Sequence, residues 1–405
     1  MYRSGWLCLS TIRKQIDLTM NLKRLTFIVL AFLISAAAYG QRSPDYDTVV
    51  ALQTRIDARD LGYAPVDVIP DGESGITSLT VAPNGYLYGA TSGDRSHLFV
   101  LIPRHGYVQP LGVIPGAKAV TQAVAVSASG NVYIGTSPQG HLLQYTPHDE
   151  YHQKKLQIDE NLPVTDLGQA VPGESIFALT VDRKARMIYG LTSPNAHFFA
   201  YSIATGKFKD FGVVAKKIPL GEKFEHDKMM SRMLVVDKNG NVFSSGENGS
   251  FYRFDAKTQT LQELPIHAPA VPGRGIWTRV DAFLLDPSGA IYGGTSDGYL
   301  FRLDPEKLTV TNLGKPLNQY RIAGLARGPS GKLYGVGGDK EEMARLFSYD
   351  PATGAYDVLG FVDVNRRPYY TWQAYVVGAL ASGRHGTIYI GENERVSKLY
   401  LFYPY

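Results

Sequence analysis

Seven times along this chain a ring residue sits at the end of a short hydrophobic strand: Tyr88, Tyr133, Tyr189, Phe243, Tyr292, Tyr334 and Tyr389. The intervals between them are 45, 56, 54, 49, 42 and 55 residues. Around each ring the same unit recurs: a hydrophobic strand, a turn, a strand ending near Tyr-Gly-x-Thr-Ser, a short loop and an aromatic-rich strand. Leu79-Thr-Val-Ala-Pro-Asn-Gly-Tyr-Leu-Tyr-Gly-Ala-Thr-Ser92 and Phe283-Leu-Leu-Asp-Pro-Ser-Gly-Ala-Ile-Tyr-Gly-Gly-Thr-Ser296 are two copies. The Asn-Gly and Ser-Gly pairs supply the positive φ that tight hairpin turns require. Alternation, as in Tyr299-Leu-Phe-Arg-Leu-Asp304, fits strands whose successive side chains face opposite sides. Tyr201-Ser-Ile-Ala-Thr-Gly-Lys-Phe-Lys-Asp-Phe-Gly212 and Tyr349-Asp-Pro-Ala-Thr-Gly-Ala-Tyr-Asp-Val-Leu-Gly360 read as third-to-fourth strand hairpins.

Four short strands per unit, repeated seven times, predict an all-β, seven-bladed β-propeller. The last unit stops after its third strand, Lys398-Leu-Tyr-Leu-Phe402. Upstream, Ala64-Pro-Val-Asp-Val-Ile-Pro70 resembles the fourth-strand segment Gln109-Pro-Leu-Gly-Val-Ile-Pro115 without three strands before it. Residues 64–70 are therefore expected to complete the last blade and close the ring, which removes an open sheet edge.

The N-terminus reads as a leader. Asn21-Leu-Lys-Arg24 precedes an apolar run from Leu25 to Ala38, and Ala38 and Gly40 give a small-x-small end. The run is short for a membrane span, and no cysteine follows it. Met20 stands where such a signal should start. The expected organisation is a leader over 1–40, a lead-in segment over 41–63 and the propeller over 64–405, in a secreted or periplasmic protein with no membrane span after cleavage.

Removing the leader changes the charge. The whole chain carries 41 basic and 37 acidic residues, a formal +4. Residues 1–40 hold Arg3, Arg13, Lys14, Lys23, Arg24 and Asp17, which leaves 36 of each sign in 41–405. No global field remains to attract a polyanion such as nucleic acid. The one cysteine, Cys8, also lies in the leader. The remainder can form neither a disulfide framework nor a Cys-based zinc site.

Candidate chemistry falls in the connections that open on one face of such a ring, where propeller ligands are expected. His97, His141 and His197 share one register, the first residue of the third strand in blades one to three. Imidazole titrates near neutrality and suits general acid–base work, although the position also fits a structural habit of the repeat. Arg232, Arg279 and Arg321 lie at or just before the innermost strands of blades four, five and six. Three guanidiniums there would suit a carboxylate or sulfate; the alternative is interblade salt bridging, as of Arg279 with Asp281 or Asp286. Trp277, Tyr320, Trp372, Gln373 and Tyr375 occupy the same approach segments and would suit stacking on a sugar. His148-Asp-Glu-Tyr-His152 lacks the order of a metalloprotease helix and reads as a solvated loop. His105, His226 and His385 fall in turns or connections, and no phosphate loop, nucleophile elbow or metal motif is present. No cofactor is indicated.

Ile188-Tyr-Gly-Leu-Thr-Ser-Pro-Asn-Ala-His-Phe-Phe-Ala-Tyr201, Ser231-Arg-Met-Leu-Val-Val236 and Ile388-Tyr-Ile-Gly-Glu-Asn-Glu-Arg395 resemble stretches of secreted propeller polysaccharide lyases, including ulvan lyases and relatives acting on rhamnose linked to glucuronate. The resemblance spans most of 64–405 at the level of blade pattern. It implies β-elimination at a uronic acid in an acidic polysaccharide, by a monomeric enzyme. In that chemistry Arg232, Arg279 or Arg321 would neutralise the carboxylate, His141 or His197 would remove the C5 proton, and Tyr320 or Tyr375 would protonate the leaving oxygen. His97, Trp277, Trp372 and Gln373 would help bind. Two other readings stay open: a glycoside hydrolase using two of Glu247, Asp297, Glu392 and Glu394, and a non-catalytic propeller that binds glycan or protein.

Overall fold

The computed structural model describes residues 69–104, 107–148, 158–214, 231–339, 342–366 and 370–404. The chain divides into two units, Met1–Asp45 and Tyr46–Tyr405, and the first lies wholly outside the described residues. The expected leader and lead-in segment fall there too, as do His105, His152 and His226.

Six four-stranded antiparallel sheets and one three-stranded sheet follow one another along the chain, each blade strand hydrogen-bonded to the next strand of its blade, and two two-stranded pairs, Ala117–Ala119 with Ser137–Pro138 and Asp363–Arg366 with Tyr370–Gln373, lie in the connections. Blade one runs Gly75–Val81, Leu87–Ser92, His97–Ile102 and Tyr107–Val113. Blades two to six repeat it, with Val124–Val126, Ser175–Asp182, Val235–Val236, Val280–Leu285 and Ile322–Arg327 as innermost strands. Blade seven has Val377–Ser382, Ile388–Glu392 and Leu399–Phe402. Each innermost strand contacts the next, and that of blade seven contacts that of blade one, so the ring closes. This is the seven-bladed propeller that the repeat predicts.

Of the expected closing strand, 64–68 lie outside the described residues. Ile69 is inside and packs with Leu399 and Leu401 of blade seven and Leu79 and Phe99 of blade one. Beside it the Gly72 N–H donates to the Arg395 carbonyl at 2.9 Å, the Ser397 N–H donates to Ser74 Oγ at 3.0 Å, and Arg395 Nε meets Asp71 Oδ1 at 2.9 Å.

Two small devices recur in the blades. In blades one, three, five and six a second-strand glycine faces a third-strand phenylalanine: Gly89 with Phe99, Gly190 with Phe199, Gly293 with Phe301 and Gly335 with Phe347. The ring lies over the bare backbone so closely that a Cβ on Gly293 would sit 2.1 Å from Phe301 Cζ. The second device is a threonine at the end of the second strand whose hydroxyl accepts the N–H of the residue beginning the third. Thr91 does so for His97, Thr136 for His141, Thr192 for His197 and Thr295 for Tyr299, at 2.9–3.0 Å. It satisfies a buried backbone donor that the ladder leaves unpaired.

Gly293→Ala should lower the unfolding free energy by about 1–3 kcal/mol, the usual cost of overpacking. Urea denaturation of Gly293→Ala, Phe301→Leu and the double variant should show sub-additive penalties, because the smaller side chain makes room for the methyl group.

Candidate functional site

The three arginines do converge, and one carboxylate lies at their centre. Arg279 directly precedes the innermost strand of blade five, and Asp281 is that strand's second residue. Arg279 Nε lies 2.7 Å from Asp281 Oδ1, Arg321 Nε 3.0 Å from Oδ2 and Arg232 Nε 3.8 Å from Oδ1. Arg321 reaches inward from a left-handed backbone, φ 59°. Its Nη1 also donates to the Val377 carbonyl of blade seven at 3.4 Å. Asp281 has no exposed side-chain surface. Burial acts to raise its carboxyl, but the Arg279, Arg321 and Arg232 charges outweigh it and hold the group at about 2. Burial pulls Arg232 down to about 10, helped by its two cationic neighbours and opposed by Asp281 and Asp339. Arg232 therefore stays charged at neutral pH, and it keeps 33% of its side chain exposed. Among the described residues, with Asp339 counted, three guanidiniums and two carboxylates act on one another here. Asp286, the other expected partner, pairs instead with Arg327 at 2.7 Å.

The histidines lie in separate groups, each tied to carboxylates. His97 is fully enclosed, with Nε2 2.7 Å from Glu73 Oε2. Burial lowers its pKa despite the opposing Glu73, so the ring is neutral at pH 7 and donates its Nε2–H to that carboxylate. Arg95 holds Glu73 from the other side at 2.9 Å and reaches Asp159 at 3.1 Å. An enclosed ring offers no surface to a ligand. His141 and His197 are partly open. His141 Nδ1 meets Asp166 at 2.8 Å, and His197 Nδ1 meets Asp210 at 2.8 Å. Both aspartates also accept the N–H of a glycine two residues on, Gly168 or Gly212, at 2.8 Å. The second nitrogen of His197 lies 4.0 Å from Glu174, which accepts the Thr192 hydroxyl and the Asn195 amide. Asp166 and Asp210 had a sequence signal, Asp-Leu-Gly and Asp-Phe-Gly on the fourth strand facing a third-strand histidine, and sequence reasoning passed over it.

The aromatic residues divide. Tyr320 is 48% exposed, with the Arg274 guanidinium 5.7 Å and the Lys315 ammonium 5.3 Å from its ring centre. Tyr375 and Gln373 are exposed. Trp277 is half-buried in the short turn Gly275–Trp277, which Asp297 secures by accepting the Thr278 hydroxyl at 2.8 Å and the Val271 N–H at 3.3 Å. That bonding commits Asp297 to structure. Glu247 is buried, and Glu394 is partly exposed beside Ser397.

Blade seven differs from its siblings. Glu392 occupies the register of the hydroxyl-bearing threonine and accepts the third-strand N–H, from Lys398, at 3.0 Å. Its carboxylate also accepts the Trp372 indole N–H at 3.0 Å and the Tyr400 hydroxyl at 3.3 Å. The residue is 1% exposed. Burial raises its pKa to about 7, against the hydrogen bonds that favour the charged form. Asp363, at the base of the hairpin carrying Trp372, is also raised by burial.

Two clefts lie at the opposite side of the blades, along the first-to-second and third-to-fourth strand turns. One of about 630 Å³ is lined by Asp286, Arg302, Arg327 and Tyr349, and one of about 220 Å³ by Lys238, Arg302 and Asp304. Neither touches the arginine cluster. Among the described residues no group of three or more His, Cys, Asp or Glu side chains is placed to hold a metal, and no helix is long and apolar enough to cross a membrane.

The arrangement defines the protein as a closed seven-bladed propeller with a cationic cluster at the ends of its innermost strands. No protein-family model and no curated protein matches the sequence. Among solved structures, a streptogramin B lyase aligns with a TM-score of 0.59 at 12% identity, covering 82% of this chain and 94% of that one. A catalytically inactive His→Ala variant of virginiamycin B lyase from Staphylococcus aureus, with quinupristin, aligns at 0.58 and 10%, covering 83% and 97%. The WD40 propeller domain of Doa1 aligns at 0.55 and 9%, covering 82% and 94%. At such identities the likeness is one of fold.

Asp281→Asn should cost about 3–5 kcal/mol in thermal or urea unfolding, because it leaves three guanidiniums without their shared anion. Glu392→Gln should alter the pH dependence of stability. Between about 4.5 and about 7 the folded protein keeps a proton on Glu392 that the unfolded chain has released. Wild-type stability therefore falls as pH rises through that window and levels off above it, by about 3 kcal/mol in all. The difference between the two profiles should be confined to those pH values.

Proposed function

We propose that the protein binds a saccharide bearing carboxylate or sulfate groups at the arginine cluster. The observation that carries this reading is the convergence of three guanidiniums on the buried Asp281, with Arg232 still partly open. A planar guanidinium fork binds a carboxylate or sulfate by two parallel hydrogen bonds, and a partly desolvated site strengthens them. Half-buried Trp277 and exposed Tyr320 lie on the segments leading into the innermost strands of blades five and six, and Trp372 and Tyr375 on the segment leading into that of the adjoining blade seven. In this reading the protein works outside the cytoplasm as a monomer, once a leader over 1–40 is removed.

β-Elimination at a uronate is the second reading. It is favoured by the Asp210-held ring of His197, whose hydrogen bond at Nδ1 turns the other nitrogen into a candidate base, and by streptogramin B lyase as a lyase on a similar scaffold. It needs base and cation on one sugar, whereas the histidines bond within blades two and three and the arginines across blades four to six. Binding alone makes no such demand, so it comes first.

Calorimetric titration with uronate-containing and sulfated oligosaccharides should show binding that weakens as salt rises. Arg232→Ala should weaken it about tenfold or more, equivalent to about 1.4 kcal/mol. Unchanged affinity would sink the binding reading. Incubation with the same sugars, followed by ultraviolet absorbance of an unsaturated uronate, tests elimination. Absorbance lost in His197→Ala would establish it, and binding without absorbance would leave the propeller a binding protein.

A further inference from the structure

Four blades place a threonine at the end of the second strand, and its hydroxyl needs to do one thing, accept the N–H that begins the third strand. Blade seven places Glu392 there, and the same N–H is accepted by a carboxylate oxygen at 3.0 Å. The structural task needs neither the longer side chain nor the charge. The extra reach is used on Trp372, whose indole N–H donates to both carboxylate oxygens, at 3.0 and 3.3 Å. The Lys398 ammonium lies 4.4 Å from the centre of that indole and covers one face. The ring is thus fixed by its edge and by the ammonium, packs in part against the apolar core between blades six and seven, and remains partly open.

Trp372 is connected to the arginine cluster through one strand pairing. Glu392 is the cross-strand partner of Val377, and the Val377 carbonyl accepts from Arg321. A sugar whose acid group is held by the arginines would set its neighbouring ring near the indole. The face of an aromatic ring carries partial negative charge and attracts the electropositive C–H face of a pyranose. A ring that must hold one orientation serves better when its rotation is blocked in advance.

We propose that Glu392 is a positioning residue that locks Trp372 as a stacking platform for the sugar next to the acidic one. This rests on the binding reading above. Around Glu392 stand Trp372 on the hairpin, Lys398 and Tyr400 on the third strand and Glu394 on the adjoining loop, and Asp363 acts on Tyr400. Lys398 supplies the one cation among them, and Tyr400 stays protonated because burial and Glu392 push its phenol up. Because the carboxyl titrates near neutrality, the indole N–H bond changes strength there, and the Trp372 environment reports it.

The test uses free D-glucuronate and hyaluronan tetrasaccharide as probes. In a background of Trp6→Phe with Trp277→Phe, Trp372 fluorescence should show a step near pH 7 that is absent in Glu392→Gln and in Glu392→Thr. The threonine variant restores the repeat residue and the bond to the Lys398 N–H, so it should fold while freeing the indole. Tetrasaccharide affinity should fall about five- to tenfold in Glu392→Thr and Trp372→Ala and hold in Glu392→Gln, with glucuronate affinity unchanged throughout. Wild-type tetrasaccharide affinity in Glu392→Thr, or equal losses for both sugars in Trp372→Ala, would overturn the proposal. If wild-type protein binds neither sugar, the binding reading fails with the platform. The fluorescence step then still decides whether Glu392 holds Trp372.

Discussion

A four-stranded blade has two apolar faces and cannot cover either by itself. Each blade here is buried only because a neighbour lies against each side, and the seventh meets the first. Closure is therefore the condition on which every other contact depends. The described contacts make that junction specific. Ile69 enters the core between blades one and seven, and the stretch from Asp71 to Ser74 bonds to Arg395 and Ser397 across more than three hundred residues of chain. Such long-range bonds form late and cost loop-closure entropy, so the local hairpins must already be specified. The Gly–Phe pairs and the threonine hydroxyls do that, since both act between strands adjacent in sequence.

The same regularity explains what was legible in the sequence. The ring residues and Asn-Gly or Ser-Gly turns report local geometry, and local geometry repeated seven times leaves few alternatives to a propeller. The convergence of Arg232, Arg279 and Arg321 was also readable, because residues at or just before the innermost strands all border one channel. Their partner Asp281 was foreseen only as an alternative to a ligand. The structure shows that alternative, with Asp281 as the hub, since a buried anion is what lets three cations stand so close. The histidine register was visible too, but not its consequences: His97 is sealed, and His141 and His197 are held by fourth-strand aspartates. A shared register fixes where a side chain starts. Burial and the opposing strand decide what it can do.

Glu392 shows the reverse case. In one blade it passes for a polar loop residue near the end of a strand. Superimposed on its siblings it stands out, because it does a threonine's work with a group that is costly to bury. A carboxyl in such a place is kept near its neutral form by desolvation. Its bonds to Trp372 and Tyr400 are what the substitution adds. In a repeat protein, departures from the repeat mark where folding alone no longer explains the residue.

Charge completes the argument. The chain carries a formal +4, and over 41–405 basic and acidic residues balance, so that stretch supplies no bulk field to draw an anion. Within that balance, Asp255, Asp304 and Asp350 are spent on accepting backbone N–H groups in hairpin turns, and Asp166 and Asp210 on histidines. The anions are dispersed over the strands and turns. The three arginines are concentrated, and they share Asp281. A stretch of balanced composition can thus still gather three guanidiniums in one place because many of its acidic groups serve local structure elsewhere. Attraction from that spot fades within about a Debye length, roughly 8 Å at physiological salt. In the proposed binding reading, recognition of an acidic ligand then depends on contact geometry at the cluster rather than on long-range capture, and for that reason the orientation of the neighbouring aromatic rings matters as much as the charge.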